Sequence, residues 1–450
     1  MDNYDVAIIG AGQAGIPLAH ALAGAGKKTL LIERKNLGGS CVNFGCTPTK
    51  AAITSARVAH LARRGAEFGL RIPTVEVDFA AVIDRARAIV DEQRSGLDRG
   101  FSGKENPALL HAHARLDGRD GDRFRIVAGN TEISAAQVVL DTGTRSTVPP
   151  IEGLAETEFI HAGNWLEHRE LPRRLIVIGG GVIALEMAQF YRRMGSDVVV
   201  IEAMAQIAGS EDPDVAEALQ AILEREGIEF HLETTIERVD RRGGAVAVCL
   251  EGGQEVAGTH LFVAAGRTPN TDDLGLDTVG IGTTQGIVKA DERLATSVHG
   301  IWVAGDIRGG PMFTHTAWDD FRVLRSQIAG DKSRTTDRVV PYAIFTDPEI
   351  GRAGMNETQA KKSGKTCDVR RFEVRRNSKF RELGERDGFI KVLIERETKQ
   401  LIGATLFCND AAELVHIYID LMNGRAPVSQ IVDAVYIHPT LAEAVQSAVS

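Results

Sequence analysis

Two glycine-rich turns set the terms on which this chain can fold. The first follows a continuous apolar run, Val6-Ala-Ile-Ile-Gly10, and reads Gly10-Ala-Gly12-Gln-Ala-Gly15; a helical pattern then runs to Gly24, and a strand from Lys28 to Ile32 ends at Glu33. The second follows Arg174 to Ile178 and reads Gly179-Gly180-Gly181-Val-Ile-Ala184; a helix to about Met194 comes next, then a strand from Asp197 to Ile201 that ends at Glu202. In both copies the first glycine and the acid lie 23 positions apart. Strands that are apolar throughout, rather than alternating, belong in parallel sheets covered on both faces. A strand, glycine turn, helix, strand and terminal acid make the βαβ unit that binds dinucleotides. Gly10 allows the tight turn, Gly12 lets backbone approach a pyrophosphate, and Gly15 lets helix pack on strand. The helix N-terminus turns N–H groups and positive dipole toward the phosphates, and Glu33 suits ribose hydroxyls. Gly179, Gly181 and Ala184 hold the same places in the second unit, alanine being a tolerated third residue. Two units imply two nucleotides and an α/β fold with two Rossmann-like domains. Glu202 would repel a 2′-phosphate and so favours NADH over NADPH, although Arg192 or Arg193 could still approach such a phosphate.

The rest of the composition narrows the class. A chain of 450 residues, 43% of them hydrophobic, is long enough for about three domains with packed cores. The net charge of -9 argues against nucleic acid or an anionic membrane as partner, since both need a basic face. No apolar run approaches the roughly 18 to 20 residues of a transmembrane helix, and the N-terminus lacks the basic start and cleavage site of a secretory signal. The expectation is a cytoplasmic protein. Between the repeats, Phe79 to about Leu97 reads as a long amphipathic helix, and Leu109 to Val139 as a small antiparallel element with turns at Asp117-Gly118 and Asp120-Gly121. Pro149-Pro150 looks like a crossover between domains and Arg267-Thr-Pro269-Asn270 like the return.

Five cysteines are too few for a disulfide scaffold, and two of them, Cys41 and Cys46, lie five residues apart in Gly38-Gly39-Ser40-Cys41-Val-Asn43-Phe-Gly45-Cys46-Thr47-Pro48-Thr49-Lys50. Thr47 and Pro48 suit an N-cap and a first turn, which places Cys46 near the start of a helix toward Leu61. A helix N-terminus favours the thiolate, the redox-active form. A cysteine pair can also be a metal site or two buried thiols, but metal ligands usually stand two to four residues apart and need two further partners, which this region lacks. A redox pair is the expectation. Cys249, Cys367 and Cys408 have no neighbouring cysteine and read as structural.

The string GGSCVNFGCTPTK resembles the active-site signature of the class I flavin-dependent pyridine nucleotide–disulfide oxidoreductases, the family of lipoamide dehydrogenase, glutathione reductase and mercuric reductase. The resemblance extends along the chain. Asp141-Thr142-Gly143 and Gly266-Arg267-Thr-Pro269-Asn270 match the points where the flavin domain hands over and resumes, and Ile301-Trp-Val-Ala-Gly305-Asp306 is similar to the motif whose aspartate holds the ribityl chain. Ile437-His438-Pro439-Thr440-Leu-Ala-Glu443 is similar to the family's C-terminal HP…E motif. The resemblance implies an FAD-binding domain over 1–148, an NAD(P)-binding domain over 149–269, a second FAD-binding part over 270–335 and an α+β dimerisation domain over 336–450. It implies that Gly39, Ser40, Lys50, Thr142, Gly143, Gly305 and Asp306 join Gly10, Gly12, Gly15 and Glu33 at FAD. Gly266 joins the second repeat at NAD(P). It implies a Cys41–Cys46 redox disulfide, a Lys50–Glu186 ion pair beside the flavin, and hydride passing from NAD(P)H to flavin N5. Cys46 would be the flavin-side thiolate and Cys41 the attacking thiol. His438, oriented by Glu443, would serve as acid–base partner in the other subunit of a homodimer.

Within the family, a small disulfide is the expected substrate. Mercuric reductases carry a C-terminal cysteine pair and usually replace the histidine, whereas this chain has no cysteine after Cys408. The stretch Gly309-Gly310-Pro311-Met-Phe-Thr-His315-Thr-Ala-Trp-Asp319-Asp320-Phe321 nonetheless looks more like the mercuric-reductase-like, reactive-chlorine-resistance reductase branch. Reduction of a metal ion, Cu(II) or Hg(II), is therefore the alternative, and a non-catalytic flavin redox sensor the alternative of another class. Substrate contacts are expected in the helix after Lys50 and near His315.

Overall fold

The computed structural model describes residues 2–450, and of Arg242 the backbone alone. The first repeat folds as read: strand Asp2–Ile9, helix Gly15–Gly24 and strand Thr29–Glu33, the strands parallel with Val6 opposite Thr29 and Ile9 opposite Ile32. They form the middle of a seven-stranded sheet in the order Ala108–His111, Thr29–Glu33, Asp2–Ile9, Thr131–Leu140, Arg123–Ala128, Ala114–Asp120. The ten-residue strand Thr131–Leu140 serves two neighbours on one side, pairing antiparallel with Arg123–Ala128 through its first half and parallel with Ile301–Val303 through its last residues. The antiparallel element between the repeats is thus an extension of the nucleotide-binding sheet. Its Asp117-Gly118 is not the expected turn: the pair lies inside a strand, at a bulge between Leu116 and Arg119 with Gly118 at φ +87°. A glycine in the left-handed region absorbs the extra residue of a bulge as readily as it closes a turn. Asp120 and Gly121 do close the hairpin.

The second repeat forms its own parallel sheet, in the order Ile228–His231, Asp197–Ile201, Arg174–Ile178, His260–Val263, Ile160–His161, with a three-stranded antiparallel sheet packed beside it. The chain passes between the two nucleotide-binding sheets twice, and the passages pair with each other: Arg267–Pro269 lies antiparallel to Thr144–Ser146. The C-terminal part is a five-stranded antiparallel sheet, Pro341–Ile344, Glu349–Gly354, Leu401–Cys408, Phe389–Glu395 and Cys367–Glu373, covered by helices Ala411–Asn423 and Ala442–Val449.

Two packing features position the site. Helix Cys46–Arg63 lies on helix Val182–Met194 through small residues, with Ala51, Ala52, Ala56 and Ala59 sharing one core with Leu185 and Ala188. Alanine on the contact face lets the axes approach closely, which brings the redox helix of the first unit against the glycine-turn helix of the second. Trp165, 1% exposed, packs edge-on against Phe190 and donates from Nε1 to the carbonyl of Phe44 at 2.8 Å. It fastens the loop between the two cysteines to the second unit; burying an indole of this size stabilises the fold by about 2–3 kcal/mol. Helix Phe79–Phe101 is four residues longer than read and is capped by Asp78, which accepts from Ala81 N at 2.9 Å.

Candidate active site

Cys41 sits in a five-residue helix, Gly39–Asn43, and Cys46 opens the helix Cys46–Arg63. The chain enters through Gly38 at φ +98°, where a Cβ would fall 2.6 Å from that of Val42. Asn43 braces the segment by donating from Nδ2 to the carbonyls of Leu37 at 2.9 Å and Gly39 at 2.7 Å. Gly45, not Thr47, is the cap residue, and it supplies no side-chain hydrogen bond; the Thr47 hydroxyl binds Gln93 instead, at 3.2 Å. Helix geometry thus begins one residue before the threonine, so Cys46 is itself in the first turn, where the free N–H groups favour an anion.

Cys41 and Cys46 are not joined by a disulfide. Cys41 donates its S–H to Cys46, and this bond is the largest influence holding the Cys46 thiol down, at about 6; burial works against it, and the Thr314 hydroxyl and the Lys50 ammonium reinforce it. Thr314 Oγ1 lies 3.2 Å from Cys46 Sγ. The same bond, followed by burial, pushes Cys41 up, because ionising it would set two thiolates side by side. The surroundings therefore favour a thiolate at Cys46 over one at Cys41. Lys50 Nζ is 2.7 Å from Glu186 Oε2 and 4.5 Å from the centroid of the Phe345 ring, and Glu186, 3% exposed, also accepts from Phe345 N at 2.9 Å.

A cleft of about 2050 Å³ runs past these groups. Its walls carry Gly10, Gly12 and Glu33 of the first turn, Gly39, Ser40, Cys41, Cys46 and Lys50 of the redox segment, and Thr142, Gly143, Gly266, Gly305 and Asp306 of the later motifs. Gly181 and Glu186 of the second unit line its far end. The residues fit FAD: bare glycine backbone faces the cleft where Gly39 and Gly12 approach so closely that a Cβ on Gly39 would stand 3.0 Å from Gly12 Cα. Glu33 accepts from Ala11 N at 2.9 Å and Lys35 N at 2.8 Å, which leaves two of its four lone-pair positions for ribose hydroxyls. Asp306 accepts from the Thr144 hydroxyl at 2.8 Å, with Arg267 at 3.8 Å.

Gly15, Gly179, Ala184 and Glu202 do not line this cleft. They build the turns instead. Glu202 repeats the arrangement of Glu33, accepting from Gly180 N at 2.5 Å and Met204 N at 2.8 Å. Arg192 is turned to the carbonyls of Glu226 and Ser196, and Arg193 is buried between Glu226 and Asp347. His438 and Glu443 also lie outside the cleft. Glu443 Oε1 is 2.9 Å from His438 Nδ1, and the imidazole is 68% exposed beside Val435 and Ile437, which are 100% and 79% exposed. A long exposed apolar stretch carrying an oriented histidine is a surface built to be covered.

The stretch around His315, where substrate contacts were expected, supplies Thr314, the first residue of helix Thr314–Ala329; its contact with Cys46, and the part taken by Tyr342, His416 and Glu413, had no signal in the sequence. Phe313 stacks between His315 and Tyr342, with ring centroids at 5.4 and 5.2 Å. His315 donates from Nε2 to Pro341 O at 2.6 Å, and burial lowers its pKa. The cleft also takes in His416 and Glu413, from helix Ala411–Asn423. Of the other cysteines, Cys408 is fully buried and Cys249 and Cys367 half-buried. Among the described residues one acidic group has metal-ligand spacing, Asp212, Asp214 and Glu357, and the Lys391 ammonium sits in it at 3.0, 2.7 and 2.9 Å.

Comparison with known proteins agrees with this layout. Residues 4–320 match the model of the pyridine nucleotide-disulphide oxidoreductases, and residues 340–449 match that family's dimerisation domain. The chain is 32% identical to the probable pyridine nucleotide-disulfide oxidoreductase RclA of Escherichia coli over 98% of both chains. It is 31% identical to mitochondrial dihydrolipoyl dehydrogenase of Pisum sativum, over 99% of this chain and 91% of that one. A solved structure described as the Cu(II) complex of the HOCl-induced flavoprotein disulfide reductase RclA from Escherichia coli superposes with a TM-score of 0.91 at 31% identity, covering 100% of this chain and 99% of that one. LpdA from Mycobacterium tuberculosis shares the fold, with a TM-score of 0.91 at 23% identity. No helix among the described residues is long and apolar enough to cross a membrane. The chain belongs to the pyridine nucleotide-disulphide oxidoreductases, a flavoprotein family whose members use FAD and NAD(P)H as cofactors and pair through a dimerisation domain.

Proposed function

We propose that this protein reduces a small disulfide at Cys41 and Cys46 at the expense of NADH, working as a homodimer. The observation that carries the reading is the placement of the thiol pair: Cys46 opens its helix with the Thr314 hydroxyl at 3.2 Å and the Lys50 ammonium nearby, which lowers its pKa, while Cys41 is pushed up beside it. Bound FAD would supply the relay that returns two electrons from the nicotinamide to the cysteines. Lys50 and Glu186 hold the charge balance beside Cys46. Cys41 needs a base before it can attack, and His438 of the partner subunit supplies one, held in orientation through Nδ1 by its own Glu443. Cys41 sulfur attacks one sulfur of the substrate disulfide, forming a mixed disulfide; the departing thiolate takes the proton from the imidazolium. The Cys46 thiolate then attacks Cys41 sulfur, the second substrate thiolate leaves with a proton from solvent, and the Cys41–Cys46 disulfide closes. One substrate disulfide becomes two thiols, and the enzyme dithiol becomes a disulfide. NADH is favoured because Glu202 would repel a 2′-phosphate and Arg192 and Arg193 are engaged elsewhere.

Cu(II) is the second acceptor to consider, since RclA has been solved as its Cu(II) complex and two thiols open on a cleft that also carries His315 and His416. The test is a turnover screen of disulfides and Cu(II) with NADH and NADPH, on the wild type and His438→Ala. Disulfide turnover should fall about 10²–10⁴-fold in the variant, the usual worth of a general acid–base, with Cu(II) reduction unchanged. Equal loss of both activities contradicts the role given to His438. Absence of a red-shifted absorbance band in the reduced enzyme contradicts the Cys46 thiolate.

A further inference from the structure

The two glycine turns are alike in backbone and unlike in one side chain. Gly10 and Gly179 both sit at φ +107°; a Cβ on Gly10 would lie 2.2 Å from the carbonyl oxygen of Asp141, and one on Gly179 would lie 2.6 Å from that of Ala264. Asp141 and Ala264 therefore hold equivalent positions, each just past the strand beside its turn. In the second unit the position carries a methyl group, a Cβ on Gly181 would meet nothing within 4 Å, and among the described residues no side chain accepts from the N–H groups of Gly181 or Ala184. In the first unit Asp141 Oδ2 accepts from Gly12 N at 3.1 Å and Gly15 N at 2.8 Å. These N–H groups lie at the helix N-terminus, where such turns receive a diphosphate.

Asp141 is 7% exposed, lines the cleft and has no cation of its own among the described residues. The glycine turn and the Thr142-Gly143 loop bring no charge. The Gly305–Arg308 turn brings Asp306 and Arg308, and the Thr314–Ala329 helix brings Asp320. Arg308 and Arg338 are committed to Asp320, at 2.9 and 2.6 Å, and Arg267 faces Asp306 at 3.8 Å. Burial first, then the like charges of Asp306 and Asp320, raise the Asp141 pKa well above the carboxylate range, although both N–H bonds pull the other way. A diphosphate on the same turn adds further negative charge.

We propose that Asp141 is a positioning residue of the flavin turn that works as the neutral acid. Its Oδ2 orients the Gly12 and Gly15 N–H groups, and its Oδ1, which has no donor among the described residues, carries a proton drawn from solvent and offers it to the bound diphosphate. The proposal rests on FAD occupying this turn. Flavin affinity then falls as pH rises through the titration of Asp141, by up to about tenfold per pH unit for one linked proton. The diphosphate, adenine and flavin do not titrate between about pH 6 and 9 and leave this window to the protein.

The experiment uses holoenzyme of the wild type and Asp141→Asn, which keeps the acceptor and cannot ionise. Infrared spectra should show a protonated-carboxyl C=O band in the wild type that Asp141→Asn lacks. Flavin released on dilution, followed by fluorescence, should give a Kd within about threefold of wild type for the variant near pH 6, with only the wild-type Kd rising toward pH 9. The proposal is overturned by a wild type without such a band, by matching pH dependences of the two proteins, or by a variant that loses flavin more than about tenfold near pH 6. The infrared measurement on the wild type does not depend on the variant folding. A protein isolated without FAD at any pH would sink the flavin reading itself, which is a different result from any of these.

Discussion

Thr314→Val isolates the hydroxyl contact to Cys46. Valine keeps the shape of threonine and removes only the hydroxyl 3.2 Å from Cys46 Sγ. A hydrogen bond to an ionised group is worth about 1.5–3 kcal/mol net, and one pKa unit corresponds to about 1.4 kcal/mol. The bond favours the thiolate, so its loss raises the Cys46 pKa. From about 6, the Cys46 thiol should move to about 7–8. At pH 7 the thiolate fraction would drop from about nine-tenths to between about half and one-tenth. The assay is a pH titration of the thiolate–flavin absorbance band in the reduced enzyme, comparing wild type, Thr314→Val and Thr314→Ser. Serine restores the hydroxyl and should restore the midpoint. A valine midpoint within about 0.3 unit of wild type refutes the assignment and leaves the helix N-terminus, Cys41 and Lys50 to hold the thiolate unaided.

Glu186→Gln should move the same midpoint the other way, since Glu186 opposes the thiolate and its removal leaves the Lys50 charge undivided; Lys50→Met should raise it, and shifts of equal sign would show that the pair acts only through packing. Lys391→Met strands three carboxylates around a side chain that is 2% exposed, and urea unfolding should report a loss of about 3–5 kcal/mol; a loss under about 1 kcal/mol would mean the acids relax to solvent. Glu349 is raised to about 7, chiefly by burial, so the folded state holds a proton that the unfolded chain releases near pH 4.5. Its contribution is therefore present in acid and lost as pH rises from about 4.5 to about 7, and Glu349→Gln should gain on the wild type across that interval by up to about 3 kcal/mol, read as a widening Tm difference. A constant difference between pH 5 and 8 would refute the shifted titration.

The two nucleotide-binding units were legible because each is local. Strand, turn, helix and acid fall within about thirty consecutive residues, and the period and the glycines report on contacts made inside that window. Cys41 and Cys46 were legible for the same reason. Cap chemistry pointed to Thr47, but the helix begins at Cys46 with Gly45 as its cap. Asp117-Gly118 looked like a turn, and became a bulge because a neighbouring strand was there to pair across it. What the chain does with these parts was settled by contacts between residues far apart in sequence. Thr314 reaches Cys46 across 268 residues, Trp165 reaches the Phe44 carbonyl across 121, and Asp141 reaches Gly15 across 126. Residue type and spacing determine backbone conformation over a turn or two, so the sequence by itself determined that two nucleotides and a thiol pair belong here. Ionisation depends on the burial and charge that the completed packing brings to a group. Only the tertiary structure therefore decided that the Thr314 hydroxyl reaches Cys46 and that Asp141 lies buried against the first glycine turn.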